Sequence, residues 1–158
     1  GYLWKTPARG KPMNKKILNL IKKKNKSKIV SLTAYSKNTA TILDDICDLV
    51  LVGDSLGSVL YNYKSTRDVS LNTMIEHSKS VRMGVKKSLM VVDMPYNTYN
   101  NPKTALKNAK KIMSKTKCDA VKLEGGKKIL KICREKKVKF IINDDPILAK
   151  KLNLKRSI

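Results

Sequence analysis

Apolar runs alternate with amphipathic stretches along most of the chain. Runs typical of strands buried in a parallel sheet are predicted at residues 29–35, 49–52, 89–92, 120–123 and 139–142. Each run is followed by apolar residues at helical spacing, and an amphipathic helix is predicted before the first strand, over residues 14–24. Strands that alternate with helices in this way indicate an α/β fold with a parallel sheet.

Five βα units leave two architectures open, an open doubly wound sheet and a (β/α)₈ barrel. A complete barrel needs eight strands, so a barrel reading makes this chain an incomplete one. Residues 1–12 show no periodicity and are predicted to be a disordered leader, followed by a single domain over residues 13–158.

Capping residues sharpen several of the predicted boundaries. Ser70 is a candidate N-cap for a helix over residues 71–83, and Gly84 is expected to end that helix at the C′ position. Asn101-Pro102 is predicted to open the next helix, since proline favours the first helical turn. Residues 56–68 have turn chemistry and are predicted to form a long loop.

Charge is the unusual feature of the composition. The chain has 35 Lys and Arg residues against 12 Asp and Glu, a formal net charge of +23. The lysines are spread over every predicted helix rather than gathered in a stripe, which makes nucleic-acid binding the less favoured alternative and an acidic small-molecule substrate the favoured one. No apolar run is long enough to span a membrane and no signal-peptide pattern occurs, so a cytoplasmic location is predicted.

Candidate chemistry follows three of the predicted strands. Asp54 follows the strand at 49–52 and Asp93 follows the strand at 89–92. Lys122 lies near the end of the strand at 120–123, and Glu124 follows it. Ligands of parallel α/β folds bind at this end of the strands. Two carboxylates on neighbouring strands suit Mg²⁺. The alternative is that each aspartate only caps its own turn or the helix that follows. Lys122 could hold a substrate carboxylate, and Glu124 could serve in acid–base work or as its ion-pair partner.

Several motifs, in this order along the chain, resemble ketopantoate hydroxymethyltransferase (3-methyl-2-oxobutanoate hydroxymethyltransferase) over about residues 13–126. They are Thr33-Ala34-Tyr35, Val52-Gly53-Asp54-Ser55-Leu56-Gly57, Ser65-Thr66, Val69-Ser70-Leu71, His77, Val81-Arg82-Met83-Gly84, Val92-Asp93-Met94-Pro95 and Val121-Lys122-Leu123-Glu124-Gly125-Gly126. The resemblance implies a (β/α)₈ TIM barrel and transfer of a hydroxymethyl group from 5,10-methylenetetrahydrofolate to 3-methyl-2-oxobutanoate, which gives ketopantoate for pantothenate biosynthesis. It also implies a homo-oligomer.

The same resemblance assigns roles by motif position. Asp54 and Asp93 would be Mg²⁺ ligands, with Glu124 beside the metal, and all three are the predicted metal residues. Ser55 and Lys122, together with the two aspartates, would bind the keto acid.

Two features depart from the family. Ser36 stands where the family usually has Asp, and no residue of the chain matches the family's later general base, so impaired turnover is expected of this chain alone. Residues 129–154 look more like thiamine phosphate synthase, in which Asn143 and Asp144 would serve pyrophosphate and Mg²⁺. A junction between two barrel pieces near residues 126–131 is therefore an alternative to simple divergence, and thiamine phosphate synthesis is the alternative enzyme function.

Overall fold

A computed structural model describes residues 2–4, 9–23 and 25–124 and the backbone of 139–141. The helices are α1 (Lys15–Lys23), α2 (Lys37–Leu43), α3 (Leu56–Tyr61), α4 (Leu71–Gly84) and α5 (Pro102–Thr116), with one 3₁₀ turn at Thr66–Asp68. The strands are β1 (Tyr2–Trp4), β2 (Ser31–Thr33), β3 (Leu49–Val52), β4 (Leu89–Asp93), β5 (Ala120–Lys122) and β6 (Lys139–Ile141). The helices predicted after residue 124 lie outside the described residues.

The strands form one sheet in the order β2-β3-β4-β5-β1-β6. The strands β2 to β5 are parallel and adjacent in the same order as in the chain, as the alternation of apolar runs and helices predicted. Their register pairs Asp93 with Lys122 at the carboxyl edge of the sheet. The mixed α/β class is thereby confirmed.

Strand β1 corrects the predicted disordered leader at residues 2–4, which pair within the sheet. Tyr2–Trp4 lie antiparallel between β5 and β6, and Leu3 and Trp4 are buried. The prediction failed because a three-residue strand carries no periodicity of its own. Its order comes from pairing with Val121 and Lys122, which are distant in sequence.

Residues 56–68 likewise form more regular structure than the loop predicted for them. Helix α3 begins directly after Ser55, and Leu56 and Gly57 on its first turn are buried. The segment is rich in turn-forming residues and was therefore predicted to be a loop. A helix as short as α3 is stabilised by packing rather than by its own helix propensity. The segment therefore places Ser55 at a helix N-terminus.

The predicted starts of α4 and α5 are confirmed by capping contacts. Ser70 Oγ accepts a hydrogen bond from the backbone N–H of Thr73 at 3.1 Å. Asn101 Oδ1 accepts one from the backbone N–H of Thr104 at 2.9 Å, with Pro102 in the first turn. Each side chain satisfies a backbone donor that the helix leaves unpaired.

The core lies on both faces of the sheet. All five residues of β4 are buried, which suits a central strand covered by helices on each side. The larger cluster joins the sheet to α2, α4 and α5, and a smaller cluster joins Ile17 and Leu20 of α1 to Trp4. No helix within the described ranges is long and apolar enough to cross a membrane.

Gly84 has a different role from the predicted helix stop. It is the last residue of α4, it is buried, and it is not among the residues with positive φ. A Cβ atom built there would lie 2.5 Å from the backbone oxygen of Lys37 and 2.8 Å from the backbone nitrogen of Thr41. Gly84 therefore allows α2 and α4 to approach closely.

Replacing Gly84 with Ala is expected to destabilise the fold by about 1–3 kcal/mol, because the added methyl group meets backbone atoms that cannot turn aside. Urea unfolding measures this change. Met83→Ala is the matched control, because Met83 is 57% exposed and its truncation leaves the α2–α4 contact intact. A Gly84→Ala protein as stable as the parent would show that the two helices have room to separate.

Candidate active site

Three predicted site residues meet at the carboxyl edge of the parallel strands. Asp93 is the last residue of β4 and Lys122 the last of β5, and they are paired in register. Asp54 follows β3 by two residues, in the turn before α3. Parallel strands end at the same edge, so the chain order predicted from the apolar runs brings these side chains together.

Asp93 is the central group of this cluster. Its Oδ1 accepts a hydrogen bond from Lys122 Nζ at 2.6 Å, and its Oδ2 accepts one from the backbone N–H of Asp54 at 3.2 Å. The Asp93 side chain is only 9% exposed and that of Lys122 is 27% exposed. A charge this well buried requires such partners.

The ionisation of Asp54 and Lys122 reflects this crowding. Burial is the main cause that raises the pKa of Asp54, and the negative charge of Asp93 raises it further, while Lys122 partly offsets both. Burial lowers the pKa of Lys122, but the hydrogen bond and charge of Asp93 outweigh it, so the pKa is raised. Lys122 is therefore a cation at neutral pH, beside two carboxylates that repel each other.

Gly53 allows the strand end to approach the cluster. A Cβ atom there would lie 3.0 Å from Ser55 Oγ, 3.4 Å from Thr33 Cγ2 and 3.6 Å from Asp93 Oδ2. Contacts near 3.0 Å require the neighbour to move. Since two of these atoms belong to candidate site residues, a side chain at position 53 would disturb the site directly.

Ser55, at the N-terminus of α3, is held from the side of β2. Its Oγ and the hydroxyl of Tyr35 share a hydrogen bond of 2.7 Å, and Ser55 makes no side-chain cap to its own helix. The backbone oxygen of Tyr35 is bonded to His77 Nδ1 at 2.9 Å, and Tyr61 hydroxyl is bonded to His77 Nε2 at 2.8 Å. A cavity of about 500 Å³ adjoins Tyr35 and His77.

The donor set at Asp54 and Asp93 fits a hard divalent cation. Both groups are carboxylates, and Mg²⁺ is usually held by one or two carboxylates together with water and substrate oxygens. No hydrogen-bond donor to the Asp54 carboxylate occurs among the described residues. Burial, and after it repulsion from Asp93, raises the pKa of Asp54, and a bound cation would offset both effects. The two carboxylates therefore suit Mg²⁺ on chemical grounds.

Glu124 lies apart from the tightest part of the cluster. It is exposed, and its charge adds only the last of the contributions to the raised pKa of Asp54. Within the described part of the chain, no group of three or more His, Cys, Asp or Glu side chains is placed to hold a metal ion. The role of Glu124 beside a metal stays a prediction.

Tyr99, for which no role is predicted from the sequence, lies near this edge of the sheet. Burial is the main cause that raises the pKa of its phenol, and the charges of Glu124, Asp54 and Asp93 raise it further. Tyr99 also packs against the larger core cluster. Neither Tyr99 nor Tyr96, the other tyrosine between β4 and α5, belongs to a recognisable pattern, so only the fold reveals the position of Tyr99.

These features define an α/β protein with a lysine–carboxylate site at the carboxyl edge of a parallel sheet. The family model of ketopantoate hydroxymethyltransferase matches residues 14–144, and the chain belongs to that family. The match runs through the predicted junction near residues 126–131 and ends at residue 144, within residues 129–154, which are predicted to resemble thiamine phosphate synthase. Asn143 and Asp144 are outside the described residues.

Several curated relatives carry the name 3-methyl-2-oxobutanoate hydroxymethyltransferase. The one from Pelagibacter ubique (strain HTCC1062) is 77% identical over 137 residues, covering 87% of this chain and 52% of that protein. The one from Anaplasma marginale (strain Florida) is 48% identical over 126 residues, covering 80% and 44%. The one from Helicobacter acinonychis (strain Sheeba) is 42% identical over 132 residues, covering 84% and 47%. The chain therefore spans about half the length of these relatives.

Proposed function

We propose that this chain forms the keto-acid and Mg²⁺ half-site of a ketopantoate hydroxymethyltransferase. The enzyme would transfer a hydroxymethyl group from 5,10-methylenetetrahydrofolate to 3-methyl-2-oxobutanoate, a step of pantothenate biosynthesis. The observation that carries the proposal is the contact between Asp54, Asp93 and Lys122 in a chain of this family.

Lys122 and Ser55 would bind the carboxylate of the keto acid. Lys122 is a cation on a strand end, and its side chain is 27% exposed, so it can reach a ligand while it remains paired with Asp93. The Ser55 hydroxyl offers a neutral donor at the N-terminus of α3. The net charge of +23 would add a long-range attraction for an anionic substrate.

Asp54 and Asp93 would hold Mg²⁺, with Glu124 near it. When bound, the cation would polarise the carbonyl of a chelating 2-oxo acid and make the adjacent C–H bond more acidic. The chain's own contribution is to orient the Asp93 carboxylate, which is fixed by Lys122 and by the backbone N–H of Asp54. We assign no general base within the chain, and impaired turnover of the chain alone is part of the proposal.

A barrel architecture is also part of this proposal. Four parallel strands adjacent in chain order, with helices between them, are the arrangement from which a singly wound barrel is built. A doubly wound sheet reverses its strand order at a switch point, and no reversal occurs from β2 to β5.

Calorimetric titration of the chain with 3-methyl-2-oxobutanoate tests the proposed function. Binding is expected to require Mg²⁺, because both the cation and Lys122 would contact the ligand. 3-Methylbutanoate, which keeps the carboxylate and lacks the oxo group, is the matched ligand control and is expected to bind more weakly. Equal affinity with and without Mg²⁺, or for both ligands, would contradict the proposed half-site.

A further inference from the structure

Both structural supports of Ser55 converge on His77. On one side, the Tyr35 hydroxyl shares a hydrogen bond with Ser55 Oγ, and the Tyr35 backbone oxygen is bonded to His77 Nδ1. On the other side, Ser55 directly precedes α3, and Tyr61 at the last position of α3 is bonded to His77 Nε2. One imidazole on α4 thus connects the end of β2 with the far end of α3.

The direction of these hydrogen bonds follows from the Tyr35 carbonyl, which can only accept. His77 Nδ1 must therefore carry the proton and donate it. In the neutral imidazole Nε2 is then the acceptor, and the Tyr61 hydroxyl donates to it. Each nitrogen of the ring has a fixed role, which holds the ring in one orientation between its two partners.

Packing alone does not account for this placement. His77 is only partly buried, and the Tyr61 ring meets its ring edge-on at a centroid distance of 5.8 Å. Tyr61 is 44% exposed, so the bond from its hydroxyl to His77 is not required to satisfy a buried polar group. The two hydrogen bonds of His77 instead fix the Tyr35 segment, which contacts Ser55, and the end of α3, the helix that Ser55 precedes.

We propose that His77 is a positioning residue for Ser55, acting through Tyr35 and Tyr61. This inference rests on the proposed function, in which Ser55 binds the keto-acid carboxylate. Loss of either connection, through Tyr35 or through Tyr61, would free the Ser55 hydroxyl to turn away from the ligand. The affinity for the keto acid should then fall, while the affinity for Mg²⁺ alone should not, because the contacts of the Asp93 carboxylate and of the Asp54 backbone do not involve Tyr35, Tyr61 or His77.

Four variants and one control variant separate the two connections, through Tyr35 and through Tyr61, that link His77 to Ser55. Tyr35→Phe and Tyr61→Phe each remove one hydroxyl and are expected to weaken keto-acid binding about three- to tenfold, the effect of one hydrogen bond. Tyr63→Phe is the matched control: its ring stacks on Tyr61 at 5.5 Å, and its hydroxyl has no hydrogen-bond partner among the described residues. His77→Ala removes both hydrogen bonds of the imidazole, to the Tyr35 backbone oxygen and to the Tyr61 hydroxyl. His77→Asn restores a donor near the Nδ1 position and should regain part of the affinity.

A nitrogen NMR spectrum gives a second readout that does not depend on ligand binding. His77 is the single histidine of the sequence, so its imidazole signals need no assignment among others. The spectrum should show the tautomer protonated at Nδ1, and saturation with keto acid should shift these signals in the parent but not in Tyr35→Phe. The tautomer protonated at Nε2 would overturn the proposed network.

The binding results separate this inference from the function on which it rests. A parent chain that binds no keto acid overturns the proposed function and, with it, the role of His77. A parent that binds keto acid as tightly as Tyr35→Phe and His77→Ala overturns only the positioning role. Equal losses of keto-acid and Mg²⁺ affinity in these variants would show general disruption of the site and would also overturn it.

Discussion

Replacing Asp54 with Asn is expected to weaken Mg²⁺ binding by about one to two orders of magnitude and, at the same time, to stabilise the metal-free chain. The affinity falls because the variant loses one of two anionic ligands; changes to groups that merely support metal ligands already cost about 10–100-fold. The stability rises because the Asn side chain no longer repels Asp93, which contributes to the raised pKa of Asp54 after burial itself.

The pH dependence gives the sign of the stability effect. The pKa of Asp54 is raised above its ordinary value of 3.8 in the folded chain, so the folded state binds the proton more tightly than the unfolded state does. The stability of the parent should therefore fall as the pH rises from about 3.8 through the raised pKa, and then level off with respect to this group. Asp54→Asn should lack this component.

Calorimetry with Mg²⁺ and thermal unfolding in a chelator, each over a range of pH, measure the two effects. Asp45→Asn is the matched control, because the Asp45 side chain is 68% exposed and its change removes the same charge from the segment before β3 rather than after it. Unchanged Mg²⁺ affinity in Asp54→Asn would remove Asp54 from the metal site. A less stable metal-free variant would contradict the repulsion between Asp54 and Asp93.

Replacing Lys122 with Met is expected to abolish most keto-acid binding and to destabilise the chain by about 1–3 kcal/mol. Breaking a buried ion pair from one side leaves the other charge unpaired, and the partial exposure of Lys122 lessens that cost. The Asp93 side chain is 9% exposed, so water can replace the lost ammonium only in part. The ligand carboxylate would also lose its cation.

The pair between Lys87 and Asp45 provides a control of equal geometry. Its N–O distance is 2.6 Å, the same as between Lys122 and Asp93, but its side chains are 73% and 68% exposed. Lys87→Met should therefore change neither stability nor keto-acid binding measurably. Urea unfolding and calorimetry provide both readouts. Equal effects of the two Met variants would mean that burial does not distinguish the pairs.

Local sequence information was sufficient for the elements whose patterns are complete within themselves. The apolar runs at Leu49–Val52 and Leu89–Asp93 are strands, because such runs have few other stable placements. All of β4 is buried, whereas β3 buries Val50 and Val52 and leaves Leu49 and Leu51 partly exposed. The helix starts at Ser70 and Asn101 followed from side chains that cap nearby backbone donors. Strand β1 did not follow, because its order depends on partners distant in the chain.

The apolar pattern is enough to predict which residues end the parallel strands. Because parallel strands carry their carboxyl ends to the same side, it also predicts that Asp54, Asp93 and Lys122 share one edge of the sheet. The folded chain was needed to show that Asp93 is the shared partner of Lys122 and of the Asp54 backbone, and that Gly84 serves helix packing. It alone also linked His77 to Ser55 through Tyr35 and Tyr61. These contacts depend on register and on distances between separate elements, which no local pattern encodes.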